Sequence, residues 1–375
     1  MDLADRLLRW YDEKGREGLP WRDDPKPYHI WISEIMLQQT RVETVRDYYL
    51  RFLEKIPDVK ALAEVDEDQL LKLWQGLGYY SRAKNLKKAA QRIEKAYQGK
   101  IPSEKKDLVQ LPGIGPYTAG AISSIAFQKR EIAPDGNAYR VAARLSKEDG
   151  FLEDRETKNR LEAFLRDHLP EERPGDFNQA LMDLGSGICL PKSPPHCLVC
   201  PISGFCMAYQ QSDPLIYPKK KEKKERKKEK KTILLIQKGE KTLLIRRPDS
   251  GLLGGLWALP MAEGHLSPAQ VILKCEEFMG KNLSIKGELR PLGKAVHIFT
   301  HLEWHMEGWQ IVYPEEGFGE KKEEAVEERK EMGETFEMAD AKKGPIRVWA
   351  NREELEKKYS IPRAYHAYLL GKMGK

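Results

Sequence analysis

No run of about eighteen apolar residues occurs in this 375-residue chain, which leaves no candidate for a membrane-spanning helix. The first residues, Met1-Asp2-Leu3-Ala4-Asp5, lack the basic start and apolar core of a secretion signal. The expected location is the cytoplasm, including a bacterial or archaeal nucleoid, or a nuclear or organellar interior in a eukaryote. Cysteine is scarce: five residues, four of them between Cys189 and Cys206. So small and clustered a set argues against a disulfide framework and favours metal ligation. Excess charge of one sign is also missing over most of the chain. The formal net charge is +6, but residues 219–231 carry nine lysines and one arginine against three glutamates, +7 in total, which leaves −1 for the rest. A basic balance confined to one segment says little about nucleic-acid binding by the folded parts. No clear internal repeat is present.

The length predicts two or more domains. Through residue 188 the apolar positions recur at helical spacing: Leu3, Leu7, Leu8 and Tyr11; Ile32, Ile35 and Met36; Val45, Tyr49, Phe52 and Ile56. Further helical patterns cover residues 70–74, 83–97, 161–169 and 177–188, with turns such as Gly76-Leu77-Gly78 and Pro170 between them. The lysine run cannot bury apolar surface and is expected to be a linker. Beyond it the pattern turns to strands. Residues 232–237 and 242–247 flank Lys238-Gly239-Glu240-Lys241 as a hairpin, and Leu302, Trp304 and Met306 alternate with Glu303, His305 and Glu307. Helices are expected near 268–279 and 352–358, so this second region reads as α+β. Residues 315–343 hold eleven acidic and six basic residues, which predicts a solvated loop or partly ordered insertion.

Three local patterns carry chemistry. Leu111-Pro112-Gly113-Ile114-Gly115-Pro116-Tyr117-Thr118-Ala119 is a glycine turn between helical segments. Exposed N–H groups at a helix start suit a phosphate oxygen, although a bare joint between two helices uses the same residues. Asp135 follows twenty residues after Gly115. Its carboxylate suits a developing positive charge, and equally the N-cap of a helix over 137–145. Glu34 lies among Ile32, Ile35 and Met36, expected on the first turn of an apolar-faced helix. Desolvation there would raise its pKa and let it donate a proton near neutrality, whereas an exposed first-turn glutamate is simply favoured by the helix dipole. The cysteines run Cys189-x7-Cys197-x2-Cys200-x5-Cys206. Four thiolates suit a tetrahedral zinc or an iron–sulfur cluster; a zinc ribbon pairs two C-x2-C knuckles, and one is present.

The glycine turn resembles the helix-hairpin-helix motif of DNA glycosylases. The cysteine pattern is similar to the loop closing the glycosylase domain in the endonuclease III superfamily, with a first gap one residue longer than is common there. Trp31-Ile32-Ser33-Glu34-Ile35-Met36-Leu37-Gln38-Gln39-Thr40 resembles the catalytic helix of MutY-type adenine DNA glycosylases. Trp21-Arg22, Gly76-Leu77-Gly78-Tyr79-Tyr80, Phe177-Asn178-Gln179-Ala180 and Asp183-Leu184-Gly185 match that family as well. Leu253-Gly254-Gly255-Leu256-Trp257-Ala258-Leu259-Pro260 is similar to the start of its C-terminal Nudix-like domain, and Phe299-Thr300-His301 falls where the family carries a Phe-Ser-His loop.

The resemblance implies a multi-domain chain: an all-α helix-hairpin-helix glycosylase domain over 1–212 with an iron–sulfur loop over 189–206, a lysine-rich linker over 213–231, and an α+β Nudix-like domain over 232–375. It implies a [4Fe–4S] cluster on Cys189, Cys197, Cys200 and Cys206, with Lys192 able to meet a phosphate. Glu34 would be the general acid and Asp135 the stabiliser of the sugar cation, with Tyr117 and Asn137 as hydrogen-bonding helpers. Arg22 and Gln179 would line the adenine pocket, Gln39 and Tyr79 would wedge into the duplex, and Gly113 and Gly115 would hold a phosphate. Phe299, Thr300 and His301 would sense 8-oxoguanine; Thr300 keeps the hydroxyl of the family's serine and adds a methyl. The implied partner is double-stranded DNA with an adenine:8-oxoguanine or adenine:guanine mispair, bound by a monomer. Tyr117 stands where the lyase branch places its lysine nucleophile, so the implied enzyme removes a base and leaves the backbone whole. Glu276-Glu277-Phe278-Met279-Gly280 is a fragment of the metal-binding Nudix helix, so neither pyrophosphatase activity nor catalytic magnesium is expected. Three rivals fit less well. An endonuclease III-like glycosylase/lyase on oxidised pyrimidines needs that lysine, a Nudix hydrolase with a DNA-binding appendage needs the complete helix, and a non-catalytic mispair binder has no use for two carboxylates.

Overall fold

The computed structural model describes residues 1–222, 225–279, 288–314 and 346–369. The chain divides into two compact units, one of Met1–Asp66 with Ser81–Lys223, the other of Glu67–Tyr80 with Lys224–Lys375. The charged segment 315–343 and Gly280 lie outside the described residues.

The first unit is helical. Asp2 caps the helix Leu3–Lys14 by accepting the Asp5 N–H, and the helix buries Leu3, Ala4, Leu7 and Leu8. That stripe packs in one core with Val141, Leu145, Leu161, Leu165, Phe177 and Leu181, from the helices Gly136–Ser146, Arg155–Asp167 and Pro174–Gly187. The helix Pro27–Leu37 differs, because Tyr28 and every residue from Ile30 to Met36 is buried. A helix apolar on all sides has no solvent face, and a carboxyl anywhere on it is interior. Pro27 opens this helix, ahead of the apolar run. Glu34 therefore sits towards its C-terminal end rather than on the first turn that the apolar spacing predicts, so the N-terminal dipole does not account for it.

The glycine turn connects the helices Lys105–Leu108 and Pro116–Ala121, the second continuing as a wider π-turn over Ile122–Ala126. Gly113 takes φ +78°, a left-handed conformation that favours glycine, and Gly115 is the N-cap of the second helix. Gly120 allows the chain to return close by: a Cβ there would lie 2.1 Å from the Ile132 carbonyl oxygen. This close pass leads the chain to Asp135, which caps the helix Gly136–Ser146.

The second unit is α+β. Its described strands are β1 (Lys227–Lys238), β2 (Lys241–Arg246), β3 (Trp257–Ala258), β4 (Met261–Glu263), β5 (Glu288–Ile298), β6 (Leu302–Tyr313) and β7 (Arg347–Ala350). They form one sheet in the order β3-β2-β1-β6-β5, with β4 on β1 and β7 on β2. β1 and β6 are parallel along their whole length, in register Lys227↔Leu302 through Lys238↔Tyr313. Both sheet faces are covered. Ile233, Leu235, Trp304 and Met306 face a core with Tyr359, Ile361 and Tyr365, while Leu234, Ile236 and Ile311 meet Val271 and Cys275 of the helix Pro268–Met279.

Two expectations about boundaries change. The lysine run is not all linker: β1 begins at Lys227, and Lys231 is 5% exposed, its ammonium 2.6 Å from Glu263 and 3.1 Å from Glu229. Backbone pairing with β6 forms the strand, and two carboxylates compensate the buried Lys231, which composition alone assigns to solvent. Upstream, Tyr217 is buried in the helical core, and Lys219 and Lys221 pair with Asp149 and Asp154. Residues 67–80, expected within the helical domain, pack with the second unit. Lys72 Nζ donates to the Tyr359 carbonyl at 3.1 Å, Gln75 Nε2 to that of Ile361 at 3.3 Å, and Arg246 pairs with Glu67 at 3.6 Å.

Candidate active site and cysteine cavity

Glu34 and Tyr117 meet inside the helical unit. The Tyr117 hydroxyl donates to Glu34 Oε2 at 2.5 Å. Glu34 is 5% exposed, and burial pushes its carboxyl up to about 7. The Asp135 charge raises it further, while the Tyr117 hydrogen bond and the Arg22 charge oppose the rise. A carboxyl so poised holds a proton near neutrality and can deliver it. Burial also raises the Tyr117 phenol well above its ordinary value, so it remains a donor. Its place on the helix that follows the glycine turn brings the turn and Glu34 into one site.

Asp135 is the N-cap of the helix Gly136–Ser146, and its charge acts on both Glu34 and Tyr117. Its Oδ1 accepts the Ala138 N–H at 2.7 Å and its Oδ2 the Asn137 amide at 2.9 Å. Burial raises its pKa, and those two donors pull the other way. Asn137 is held in turn by Arg140, whose Nη2 donates to Asn137 Oδ1 at 2.7 Å and to the Gly185 carbonyl at 2.6 Å. Gly185 leaves room for Asn137, since a Cβ there would lie 2.5 Å from Asn137 Cβ.

Arg22 and Gln179 flank the same unit. Arg22 grips Asp183 with two parallel hydrogen bonds of 2.8 Å and donates to the Arg16 carbonyl at 3.1 Å. Arg16 Nε and N–H also donate to Asp183, at 2.7 and 2.9 Å. Despite burial, those cationic partners keep the Asp183 carboxyl below its ordinary range. Gln179 precedes Asp183 by one turn on the helix Pro174–Gly187 and is 9% exposed. Gln39 is exposed just past the end of the Glu34 helix, at φ +58°. Gly113 and Gly115 are both exposed, as a phosphate seat requires.

The four clustered cysteines line one small cavity with Arg144, Ile188, Pro195, Tyr209 and Pro214. Among the described residues no three His, Cys, Asp or Glu side chains are arranged to hold a single metal ion. Lys192 is exposed in the same loop. Arg144 and Arg140, one turn apart on the helix that Asp135 caps, fasten this loop. Arg144 donates to Cys189 Sγ and to the Leu190 carbonyl, each at 3.0 Å, and Arg140 Nε to the Cys189 carbonyl at 2.9 Å. Neither arginine, nor Arg16, stands out in the sequence. Their spacing matches any helix surface, and only the fold reveals which carbonyls they meet.

In the second unit, β5 and β6 are joined through Phe299-Thr300-His301, where the Phe299 N–H meets the Leu302 carbonyl at 2.8 Å. Phe299 is wedged edge-on between His297 and Trp304, with ring centroids 4.6 and 4.9 Å away. Thr300 and His301 are exposed, and Thr300 Oγ1 lies 2.6 Å from the Tyr79 hydroxyl. Tyr79 is itself exposed and left-handed, at φ +46°.

Comparison with known proteins gives two family matches. Residues 32–167 match the HhH-GPD superfamily of base excision DNA repair proteins, and residues 232–370 match the NUDIX domain. The chain is 34% identical over 365 residues to the adenine DNA glycosylase of Mus musculus, covering 80% of this chain and 70% of that protein. It is 33% identical to the adenine DNA glycosylase of Buchnera aphidicola subsp. Schizaphis graminum, covering 80% of this chain and 84% of that protein. The chain belongs to the adenine DNA glycosylase family. Among solved structures, a thermostable thymine-DNA glycosylase matches 56% of this chain and 95% of its own, at 28% identity and a TM-score of 0.49. As an adenine DNA glycosylase, the protein binds DNA and acts in base excision repair, with a helix-hairpin-helix unit and a Nudix-like unit in one chain.

Proposed function

We propose that this adenine DNA glycosylase removes adenine opposite 8-oxoguanine, and more slowly opposite guanine, without cutting the backbone. The observation that carries the reading is the buried Glu34 carboxyl, raised to about 7, with the Tyr117 hydroxyl 2.5 Å away. Adenine is a poor leaving group as an anion. Glu34 in its acid form gives its proton to N7, the N-glycosidic bond breaks with its electron pair moving to the base, and adenine leaves neutral. The sugar becomes an oxocarbenium-like cation, which the Asp135 carboxylate stabilises or bonds. Water then adds at C1′ and releases a proton. This is the two-carboxylate logic of glycoside hydrolysis. Reaching N7 requires the base to leave the stack, which costs a few kcal/mol. Gln39 and Tyr79 fill the vacated space, while Arg22 and Gln179 receive the base.

The hydroxyl at Thr300, in a loop braced by Phe299, supports recognition of 8-oxoguanine, and His301 stands beside it. Gly113, Gly115 and Lys192 take phosphates of the bound strand. Cys189, Cys197, Cys200 and Cys206, which line one cavity, suit a [4Fe–4S] cluster; their thiolates would hold it, and it would brace the loop. Tyr117 cannot form the Schiff base that lyase chemistry requires, which supports a glycosylase without strand cleavage.

The test is incubation with adenine:8-oxoguanine and adenine:guanine duplexes, followed by alkali to cut abasic sites. Intact adenine strands at stoichiometric enzyme would refute the reading. A major DNA adduct trapped by borohydride would refute the strand-sparing part of it.

A further inference from the structure

We infer that Arg82 is a positioning residue for base extrusion: it locks the Gln38–Gln39 backbone so that the Gln39 side chain points out as a wedge. This rests on the wedge reading of Gln39 given above. The helix Pro27–Leu37 must end with carbonyls that have no helical partner. One guanidinium nitrogen of Arg82, Nη1, donates to three carbonyls there: Ile35 at 2.7 Å, Met36 at 3.0 Å and Gln38 at 2.7 Å. Its Nη2 lies 3.4 Å from Thr40 Oγ1, beyond the turn. Arg82 is 8% exposed and stands on the first turn of the helix Ser81–Tyr97, so its cation is fixed from outside the segment it holds.

The Gln38 carbonyl belongs to the peptide that enters Gln39. Gln39 has φ +58°, which is uncommon for a non-glycine residue and persists where the surroundings enforce it. The local chain supplies little enforcement of its own, through the Thr40 N–H on the Leu37 carbonyl at 3.2 Å and the Thr40 hydroxyl 3.4 Å from the Gln38 carbonyl. Charge-assisted bonds from a buried guanidinium are the strongest contacts on that peptide. Removing them lets Gln39 relax towards ordinary backbone angles, which turns its side chain away from the space an extruded base leaves. Glu34 would keep its Tyr117 partner, so the defect should lie in extrusion rather than in proton transfer.

The experiment is a double-mutant cycle on the full-length protein with Arg82→Met, Arg82→Lys and Gln39→Ala. Single-turnover adenine release is read from an adenine:8-oxoguanine duplex, and fluorescence is read from a duplex with 2-aminopurine in place of the adenine. Arg82→Met should slow release about tenfold or more, the scale of one charge-assisted hydrogen bond, and lower the fluorescence of extrusion. Arg82→Lys should fall between it and the native protein. In the Gln39→Ala background, either Arg82 change should add little. Equal slowing in both backgrounds, or slow release with native fluorescence, would overturn the proposal and leave Arg82 as a general brace. Native release and fluorescence in Gln39→Ala alone would instead overturn the wedge reading, and the proposal with it. If Arg82→Met does not fold, Arg82→Lys carries the same cycle.

Discussion

Arg140 Nη2 donates to Asn137 Oδ1 at 2.7 Å, and Nε of the same guanidinium donates to the Cys189 carbonyl at 2.9 Å. One side chain therefore joins the loop of the cysteine cavity to the amide that holds Asp135. In Arg140→Gln the Cys189 carbonyl and the Asn137 amide each lose a charged partner, at a cost of about 1–3 kcal/mol. Single-turnover adenine release should fall by about tenfold or more while DNA affinity changes little. The check is a rate and a Kd on the same duplex; a native rate would mean that Asn137 needs no support from Arg140.

Glu34 makes the fold itself depend on pH. Its carboxyl rises from an ordinary 4.5 to about 7 because it is buried. The folded state thus holds this proton to a higher pH than the unfolded chain does. Its contribution is fully present below about 4.5 and is lost as pH rises through about 7, on the order of 3 kcal/mol from this group alone. Glu34→Gln removes the ionisation, so the variant should unfold at a higher temperature than the native protein near pH 9, and the gap should shrink towards pH 5. Thermal melts of both proteins across that range decide it.

Much of this architecture is legible in the sequence, for identifiable reasons. The helix over 83–97 and the alternating strand at Leu302, Trp304 and Met306 follow apolar periodicity, and the structure bears them out; the pattern over 161–169 falls on the helix Arg155–Asp167, which starts earlier and ends before His168. Asp135 as an N-cap is equally local. The position of Glu34 within its helix is not legible, because a helix buried on every side has no amphipathic stripe to mark where it starts. The strand in the lysine run is hidden for the opposite reason: it pairs with β6, and its buried Lys231 meets Glu263, neither of them near in sequence. Arg140, Arg144 and Arg82 act on carbonyls set by tertiary packing, and no spacing rule announces such contacts.

Gly185 should tolerate no side chain. A Cβ at this position would come within 2.5 Å of Asn137 Cβ. Gly185→Ala forces Asn137 away from Asp135 or shifts the helix Pro174–Gly187, at a cost of about 1–3 kcal/mol. Release should slow more than binding weakens. A variant with native single-turnover rate and native melting temperature would show that this close approach is not required.

The hydroxyl of Thr300 meets Tyr79 at 2.6 Å. Thr300→Ser keeps that bond, whereas Thr300→Val and Tyr79→Phe remove it. The ratio of excision rates opposite 8-oxoguanine and opposite guanine should be preserved in Thr300→Ser and reduced about fivefold in the other two, the scale of one neutral hydrogen bond. An unchanged ratio in Thr300→Val would separate this hydroxyl from recognition of the opposite base.

The most direct test of the central claim is the pH profile of single-turnover adenine release from an adenine:8-oxoguanine duplex, for the native protein and Glu34→Gln. With Glu34 as the proton donor at about 7, the native rate should fall as pH rises through that value, and Glu34→Gln should release no adenine at any pH. A native rate that stays level to about pH 9, or adenine release by Glu34→Gln at the native rate, would contradict the account.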